Sequence, residues 1–197
     1  MKITLHLLII IVSFAEVSCG TLKYNKVYSY EDEFRDNVKT YTRIRIKPEE
    51  RKIEIGSARL IIEKEAGDEG EATNAYFVIY RSSSSFKVDR SGFVKIGDKK
   101  YEVNLKDPVS ELKTKSEVSI SGIATADTSG VVTGQTANID TRTWIEDKFV
   151  INFSKEVTAG ITASSDIIFR FYFGPIPATY RLEGRSLEAV KRILEYK

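Results

Sequence analysis

Acidic side chains cluster in one stretch of the chain, and their carboxylates are the first groups to consider for chemistry. They surround Gly67 and Gly70 and are Glu63, Glu65, Asp68, Glu69 and Glu71. The common calcium-binding loop needs oxygen ligands at alternating positions and a final bidentate Glu, which this spacing does not supply. A glycosidase needs two carboxylates paired in space, and nothing in the sequence selects such a pair. The cluster is typical of a solvated hairpin tip, which leaves a carboxylate-based hydrolase as the one enzymatic alternative.

Basic and aromatic side chains recur at strand spacing in two other places. Arg43, Arg45 and Lys47 alternate with other residues in one segment, and Tyr76 and Tyr80 share the phase of a later one. Side chains two residues apart point to one face of a strand. An exposed row of this kind can bind phosphates, glycans or anionic lipid headgroups. The alternative for the basic row is the ordinary solvent-facing side of a sheet, and the alternative for the tyrosines is the core. We take these five residues as a candidate ligand surface.

The amino terminus has the layout of a secretory signal peptide. Lys2 precedes the apolar residues Leu5 and 7–12, and weakly polar or small residues follow. The apolar run is shorter than the ~20 residues that a membrane-spanning helix needs. It is apolar on every side, whereas a surface helix of a folded domain has one apolar stripe. Residues 1–18 are therefore interpreted as a signal peptide.

The only cysteine, Cys19, follows this signal directly, within Val17-Ser18-Cys19-Gly20. The segment resembles the lipobox of bacterial lipoproteins, although that family usually has Leu where this chain has Glu16. The resemblance implies cleavage before Cys19, a diacylglycerol thioether on its sulfur and commonly a further acyl chain on the freed amine. Two or three acyl chains give stable membrane attachment, because each buried methylene contributes ~0.8 kcal/mol. Ordinary signal-peptidase cleavage near Gly20, giving a soluble secreted protein, is the alternative.

The lipobox resemblance also implies a location. The protein would be exported and anchored to a bacterial membrane, the outer membrane more often than the inner, with its domain in the periplasm or on the cell surface. As a whole, the chain is similar to many uncharacterised envelope lipoproteins of this size, and that similarity implies no particular ligand.

Removal of the signal peptide would leave the chain without histidine, since His6 is the only one, and with its single cysteine lipidated. Ser-His-Asp and Cys-His catalysis need an imidazole base, and structural zinc sites need Cys and His ligands. No glycine-rich phosphate loop stands between a predicted strand and a predicted helix. The sequence therefore favours a protein without catalysis, metal or cofactor.

Composition favours one globular domain. Of 197 residues 42% are hydrophobic, and 30 basic against 28 acidic residues leave a formal charge of +2. This balance gives no bulk attraction to a polyanion, so we expect no nucleic-acid partner. We divide the chain into the signal peptide, a lipidated amino terminus and tether over 19–36, and a single β-rich domain over 37–197. The tether is dotted with tyrosines, so we expect one ordered strand or short helix in it.

Alternation of apolar and polar residues with period two dominates the domain and predicts strands. Gly97-Asp98 predicts a type II′ hairpin turn, and Asp107-Pro108 predicts the start of a loop. Ser154 predicts the N-cap of a short internal helix, and Ser186 that of a C-terminal amphipathic helix over 186–197. The segments predicted as strands are 41–47, 52–55, 59–64, 75–81, 86–88, 93–96, 99–105, 149–153, 166–173 and 179–182, with a long hairpin over 116–143.

These elements predict a mainly β fold, an antiparallel β-sandwich or a partly open barrel with a short internal helix and the C-terminal helix. An α+β layer with the last helix across one face is the alternative. In functional terms we expect a lipid-anchored cell-envelope protein with a non-catalytic β-rich binding or structural domain. Its partners would be the membrane, through acyl chains on Cys19, and an envelope protein or glycan. The enzymatic alternative is a carboxylate-based hydrolase acting on envelope polymers.

Overall fold

The computed structural model describes residues 23–32, 37–50, 54–67, 70–82, 86–121, 125–126, 132–133 and 136–196. The predicted signal peptide, Cys19 and the acidic residues Asp68 and Glu69 lie outside these ranges. None of the helices in these ranges combines the length and the apolar composition that a membrane-spanning helix requires.

In the described ranges the chain forms twelve strands and two helices. The strands are β1 Val27–Asp32, β2 Asn37–Ile46, β3 Ile55–Gly67, β4 Gly70–Arg81, β5 Val88–Ile96, β6 Lys99–Asn104, β7 Lys106–Ser121, β8 Thr125–Ala126, β9 Val132–Thr133, β10 Thr136–Phe153, β11 Asp166–Phe173 and β12 Ile176–Glu183. The helices are α1 Lys155–Ala163 and α2 Gly184–Glu195.

Two antiparallel sheets make up the body. One has six strands in the order β1-β2-β3-β4-β10-β7, the other has four in the order β12-β11-β5-β6, and β8 pairs with β9 alone. All of these pairings are antiparallel. The prediction of an antiparallel β-sandwich with a C-terminal helix is confirmed. The α+β alternative, in which one sheet is covered by the helix, is wrong, because a second sheet covers the first.

Aromatic side chains join the two sheets. The ring of Phe77 on β4 meets Phe169 and Phe171 on β11 edge to face, with centroids 5.1 and 4.9 Å apart. Phe149 on β10 meets Phe171 in the same way at 4.8 Å. Such pairs contribute ~0.5–1.5 kcal/mol beyond the burial of their area. The contacts fix which face of each sheet points inward.

Both helices pack against this sandwich through short apolar stripes. Helix α1 buries Val157 and Ile161, and α2 buries Leu187, Val190 and Ile193. The predicted cap of α1 is confirmed, because the Ser154 hydroxyl accepts a hydrogen bond from the backbone N–H of Val157 at 3.2 Å. At the other helix the buried Lys64 ammonium donates to the backbone oxygens of Leu194 and Tyr196, at 3.2 and 2.8 Å. A cation at these carbonyls complements the helix dipole.

Two local predictions are wrong. Helix α2 begins at Gly184 rather than at Ser186, whose hydroxyl lies instead 3.1 Å from Asn25 Oδ1. The predicted loop at Asp107-Pro108 is part of strand β7. Proline is tolerated there because β7 is an edge strand, so the residue that lacks a backbone N–H can face the open edge instead of the neighbouring strand. Asp107 has φ +48 beside a shift in the β7–β10 register, so the chain forms a bulge there instead of a loop.

Two predicted strands are longer in the structure than expected, and one predicted turn is confirmed. The segment 59–64 belongs to a longer β3, and the segment 93–96 to a longer β5. The turn at Gly97-Asp98 is confirmed, with φ +57 at the glycine. Strand β1 lies inside the predicted tether and pairs with β2 over its whole length.

Strands β7 and β10 form a ribbon that is longer than the sandwich. Residues of β10 from Ile145 onward pair with β4 on the other side, whereas the earlier part of β10 pairs only with β7. Apolar side chains on this ribbon are exposed, with Leu112 at 66%, Val118 at 63% and Ile139 at 69%. The predicted long hairpin is therefore present, with little packing onto the body.

One ion pair is fully buried between the sheets. The Arg81 guanidinium on β4 donates two hydrogen bonds to Asp147 on β10, at 2.5 and 3.3 Å. Asp147 also accepts a bond from the Ser110 hydroxyl on β7 at 2.5 Å. The guanidinium lies 5.7 Å from the ring centre of Phe173 in the opposite sheet. The pair thus connects three strands of one sheet with the other.

We expect Asp147→Ala to lower the free energy of unfolding by ~3–5 kcal/mol, because it leaves the Arg81 charge buried without its carboxylate. Urea unfolding of the purified chain measures this change. The matched control is Asp140→Ala, which removes an exposed carboxylate 3.1 Å from Arg142 and should change stability by less than ~1 kcal/mol. Equal effects of the two substitutions would contradict a structural role for the buried pair.

Candidate functional site

The outer face of the six-stranded sheet brings together four of the five residues of the predicted ligand surface. Arg43 and Arg45 lie on β2, Tyr76 and Tyr80 lie on β4, and β3 runs between them. On both strands the buried side chains alternate with these four, so all four point away from the core. Lys47 follows the last residue of β2 and is exposed, and it lines neither of the cavities described below.

Arg59 on β3 completes the basic group, and sequence reasoning did not single it out. It lies directly opposite Arg45 in the register, and Val78 of β4 lies opposite it on the other side. Its place is obscured in the sequence because Ile61, two residues on, also points outward. The two consecutive isoleucines at 61 and 62 hide the phase of the alternation.

A second missed residue, Tyr24, comes from the chain just before β1. The neighbouring Asn25 has φ +60, and its backbone N–H donates to the carbonyl of Arg43 at 2.8 Å. This bond places Tyr24 beside Arg45, where the two, with Arg59 and Tyr80, line a cavity of about 150 Å³. We call Arg43, Arg45, Arg59, Tyr24, Tyr76 and Tyr80 the arginine–tyrosine face.

Tyrosines continue along the same side of the sheet. The ring of Tyr28 stacks on Tyr41 with centroids 5.4 Å apart, and Tyr30 meets Tyr41 edge-on at 6.1 Å. Their partners in β2 point away from the core, so the tyrosines of the predicted tether belong to this side of the domain.

The three arginines have no carboxylate partner among the described residues, unlike other charged groups nearby. Lys39 lies 3.7 Å from Glu65, and Lys148 lies 2.8 Å from Glu111. By contrast, the Nε atoms of Arg43 and Arg59 are buried without a hydrogen-bond acceptor. Among the residues that the structure describes, Arg45 donates to the Ser57 hydroxyl alone, at 3.5 Å. Buried donors without acceptors and like charges that face each other both lower stability. Such arrangements are unusual outside functional sites.

A larger groove adjoins the small cavity and shares Tyr80 with it. Its volume is about 510 Å³, and its lining residues are Gly56, Tyr80, Arg81, Ser82, Arg142, Thr143 and Trp144. At Gly56 a Cβ atom would stand 3.0 Å from the Tyr80 carbonyl oxygen, so a larger residue would crowd the two strands. The indole N–H of Trp144 donates to Glu146 at 3.3 Å, which orients the ring.

The carboxylates on this side do not form a metal-binding cluster. Within the ranges that the structure covers, no three His, Cys, Asp or Glu side chains group as metal ligands. Tyr76 donates to Glu63 at 3.3 Å, and burial together with this carboxylate raises the pKa of the Tyr76 phenol. Hydrogen bonds from Lys113 and Lys148 lower the pKa of Glu111 to about 2.

Comparison with known proteins returned nothing. No family model, no curated protein and no solved structure matches this chain.

We expect Arg59→Gln to raise the free energy of unfolding by ~0.2–1 kcal/mol, because it removes the like charge opposite Arg45. The gain should shrink in ~1 M salt, where charges are screened within ~3 Å. Denaturant unfolding at low and high salt measures both effects. Arg59→Lys is the matched control: it keeps the charge opposite Arg45, so any gain from removing the unpaired Nε should not depend on salt. A gain in Arg59→Gln that is likewise independent of salt would contradict repulsion as its cause.

Proposed function

We propose that the chain is a lipid-anchored protein of the bacterial cell envelope whose β-sandwich binds an anionic ligand on the arginine–tyrosine face, without catalysis. The observation that supports binding is the set of three arginines without carboxylate partners in the described part of the chain. Guanidinium groups form strong, planar hydrogen bonds to phosphate and carboxylate oxygens. Tyr24 and Tyr80 add phenol groups that can donate as well.

The anchor would hold this face close to the membrane. Four residues lie between Cys19 and Tyr24, and each of the five Cα-to-Cα steps spans at most ~3.6 Å, so the two Cα atoms are no more than ~18 Å apart. Tyr24 lines the cavity that contains Arg45 and Arg59. A ligand bound there would lie near the bilayer surface to which Cys19 is attached.

The anchor is tested by replacing the one cysteine. We expect the mature chain to begin at Cys19, to carry the mass of its acyl chains and to sediment with membranes, because two or three acyl chains give stable attachment. Cys19→Ala should yield unlipidated chain that leaves the membrane fraction or keeps its signal peptide. Mass spectrometry of the mature amino terminus measures the difference. An unmodified native terminus beginning beyond Cys19 would remove the anchor from the proposal.

The binding face is tested with envelope polymers freed of lipid by detergent. We expect the lipidated chain, held in detergent micelles, to bind this material at low salt and to lose ~tenfold or more in affinity in the triple variant Arg43→Gln, Arg45→Gln, Arg59→Gln. The physical reason is that hydrogen bonds to charged groups contribute ~1.5–3 kcal/mol each. Co-sedimentation of protein with polymer measures the affinity.

A variant with the same loss of charge is the control for this experiment. Arg90, Lys95 and Arg170 are exposed on the four-stranded sheet, and their replacement by Gln should leave binding within about twofold of the wild type. Equal losses in the two triple variants would show attraction by bulk charge and would contradict a specific face. Binding that persists in the first variant would place the site elsewhere.

A further inference from the structure

The two adjoining cavities specify the ligand more closely. Building on the proposed function, we infer that the arginine–tyrosine face binds a phosphorylated sugar. Its phosphate monoester lies between Arg45 and Arg59, and its ring lies along Tyr80 and Trp144.

The small cavity fits one charged group rather than a whole ligand. Its volume of about 150 Å³ is below the ~300–1,000 Å³ of pockets that enclose small molecules. Its lining groups, two guanidiniums and two phenols, can all donate hydrogen bonds. The two arginines carry a charge of +2, which matches the −1.5 to −2 of a phosphate monoester at neutral pH better than the single charge of a carboxylate.

The position of the two arginines also suits a phosphate. Arg45 and Arg59 are directly opposed on neighbouring antiparallel strands, where Cβ atoms are ~4.5–5.5 Å apart. An anion between the two guanidiniums would remove their repulsion and accept from both. The binding energy would therefore include the repulsion that the free protein carries.

The adjoining groove fits a ring that carries hydroxyl groups. Its volume of about 510 Å³ lies within the range of small-molecule pockets. Trp144 and Tyr80 supply two flat aromatic bodies, and the Ser82 hydroxyl, which donates to the Glu54 carbonyl at 3.4 Å, can accept a hydrogen bond from a sugar hydroxyl. Because Tyr80 lines both cavities, a phosphate in one and a ring in the other can belong to the same molecule.

Trp144 is the only tryptophan of the chain, so its fluorescence reports binding in the groove. The lipidated chain in micelles is titrated with glucose 6-phosphate, glycerol 3-phosphate, inorganic phosphate, glucuronate and glucose. We expect glucose 6-phosphate to change the emission saturably, with a Kd at least ~tenfold below those of the phosphates without a ring and of glucuronate. Glucose should cause no change at the same concentrations, because it lacks the charged group.

Variants separate the two halves of the site. Arg45→Gln together with Arg59→Gln should raise the Kd ~tenfold or more for both glucose 6-phosphate and inorganic phosphate. Trp144→Ala, followed by calorimetry, should raise the Kd of glucose 6-phosphate to that of glycerol 3-phosphate and leave inorganic phosphate unchanged. The pair Lys95→Gln and Arg170→Gln on the other sheet is the control and should bind as the wild type does.

Each contrary result overturns a stated part of this inference. Equal affinities for glucose 6-phosphate and glycerol 3-phosphate would overturn the sugar ring and favour a lipid headgroup. Binding of glucose as tightly as its phosphate would overturn the anion site. If no probe binds while envelope polymer still binds through the arginines, this inference fails and the proposed function stands. If polymer binding does not depend on the arginines, the proposed function fails as well.

Discussion

Packing of aromatic rings between the two sheets is the interaction on which the rest of the structure depends. Phe77 and Phe149 of the six-stranded sheet interlock with Phe169 and Phe171 of the other, at centroid distances from 4.8 to 5.1 Å. Because side chains alternate across a strand, a slip of one residue would move a whole row from the core to the surface. The apolar core therefore dictates that the three arginines of the arginine–tyrosine face share the outer side.

Two arginines of the same sheet differ in whether a carboxylate compensates their charge. Arg81 lies on the inner face and is bound by Asp147, so its charge is compensated inside the core. Arg59 lies on the outer face, with its Nε buried and without an acceptor, opposite Arg45. Nothing in the folding of the sandwich requires that second arrangement. A fold selected for stability alone would place a neutral or acidic residue at one of these positions, so the uncompensated charge favours a role in binding.

Features set by neighbouring residues could be predicted from the sequence, and features set by distant contacts could not. The turn at Gly97 and the cap at Ser154 follow from local backbone and hydrogen-bonding rules, and the structure has both. Ser186 has the chemistry of a cap, but its hydroxyl lies against Asn25, far away in the chain. Arg43 and Arg45 were visible as a row, whereas the opposition of Arg45 by Arg59 arises only from the β2–β3 register. The contribution of Tyr24 depends likewise on a backbone bond between Asn25 and β2.

The openness of the arginine–tyrosine face is consistent with a protein held at a membrane. A site free in solution needs high affinity to capture a dilute ligand, and deep pockets provide it by desolvating most of the ligand surface. On the proposed anchor, Tyr24 is at most ~18 Å from the lipidated residue. A ligand carried by the same membrane would then meet the site at a higher local concentration than a ligand free in solution. Under that condition the proposed anion site would need only modest affinity, because the proposed anchor would raise the local concentration of the ligand.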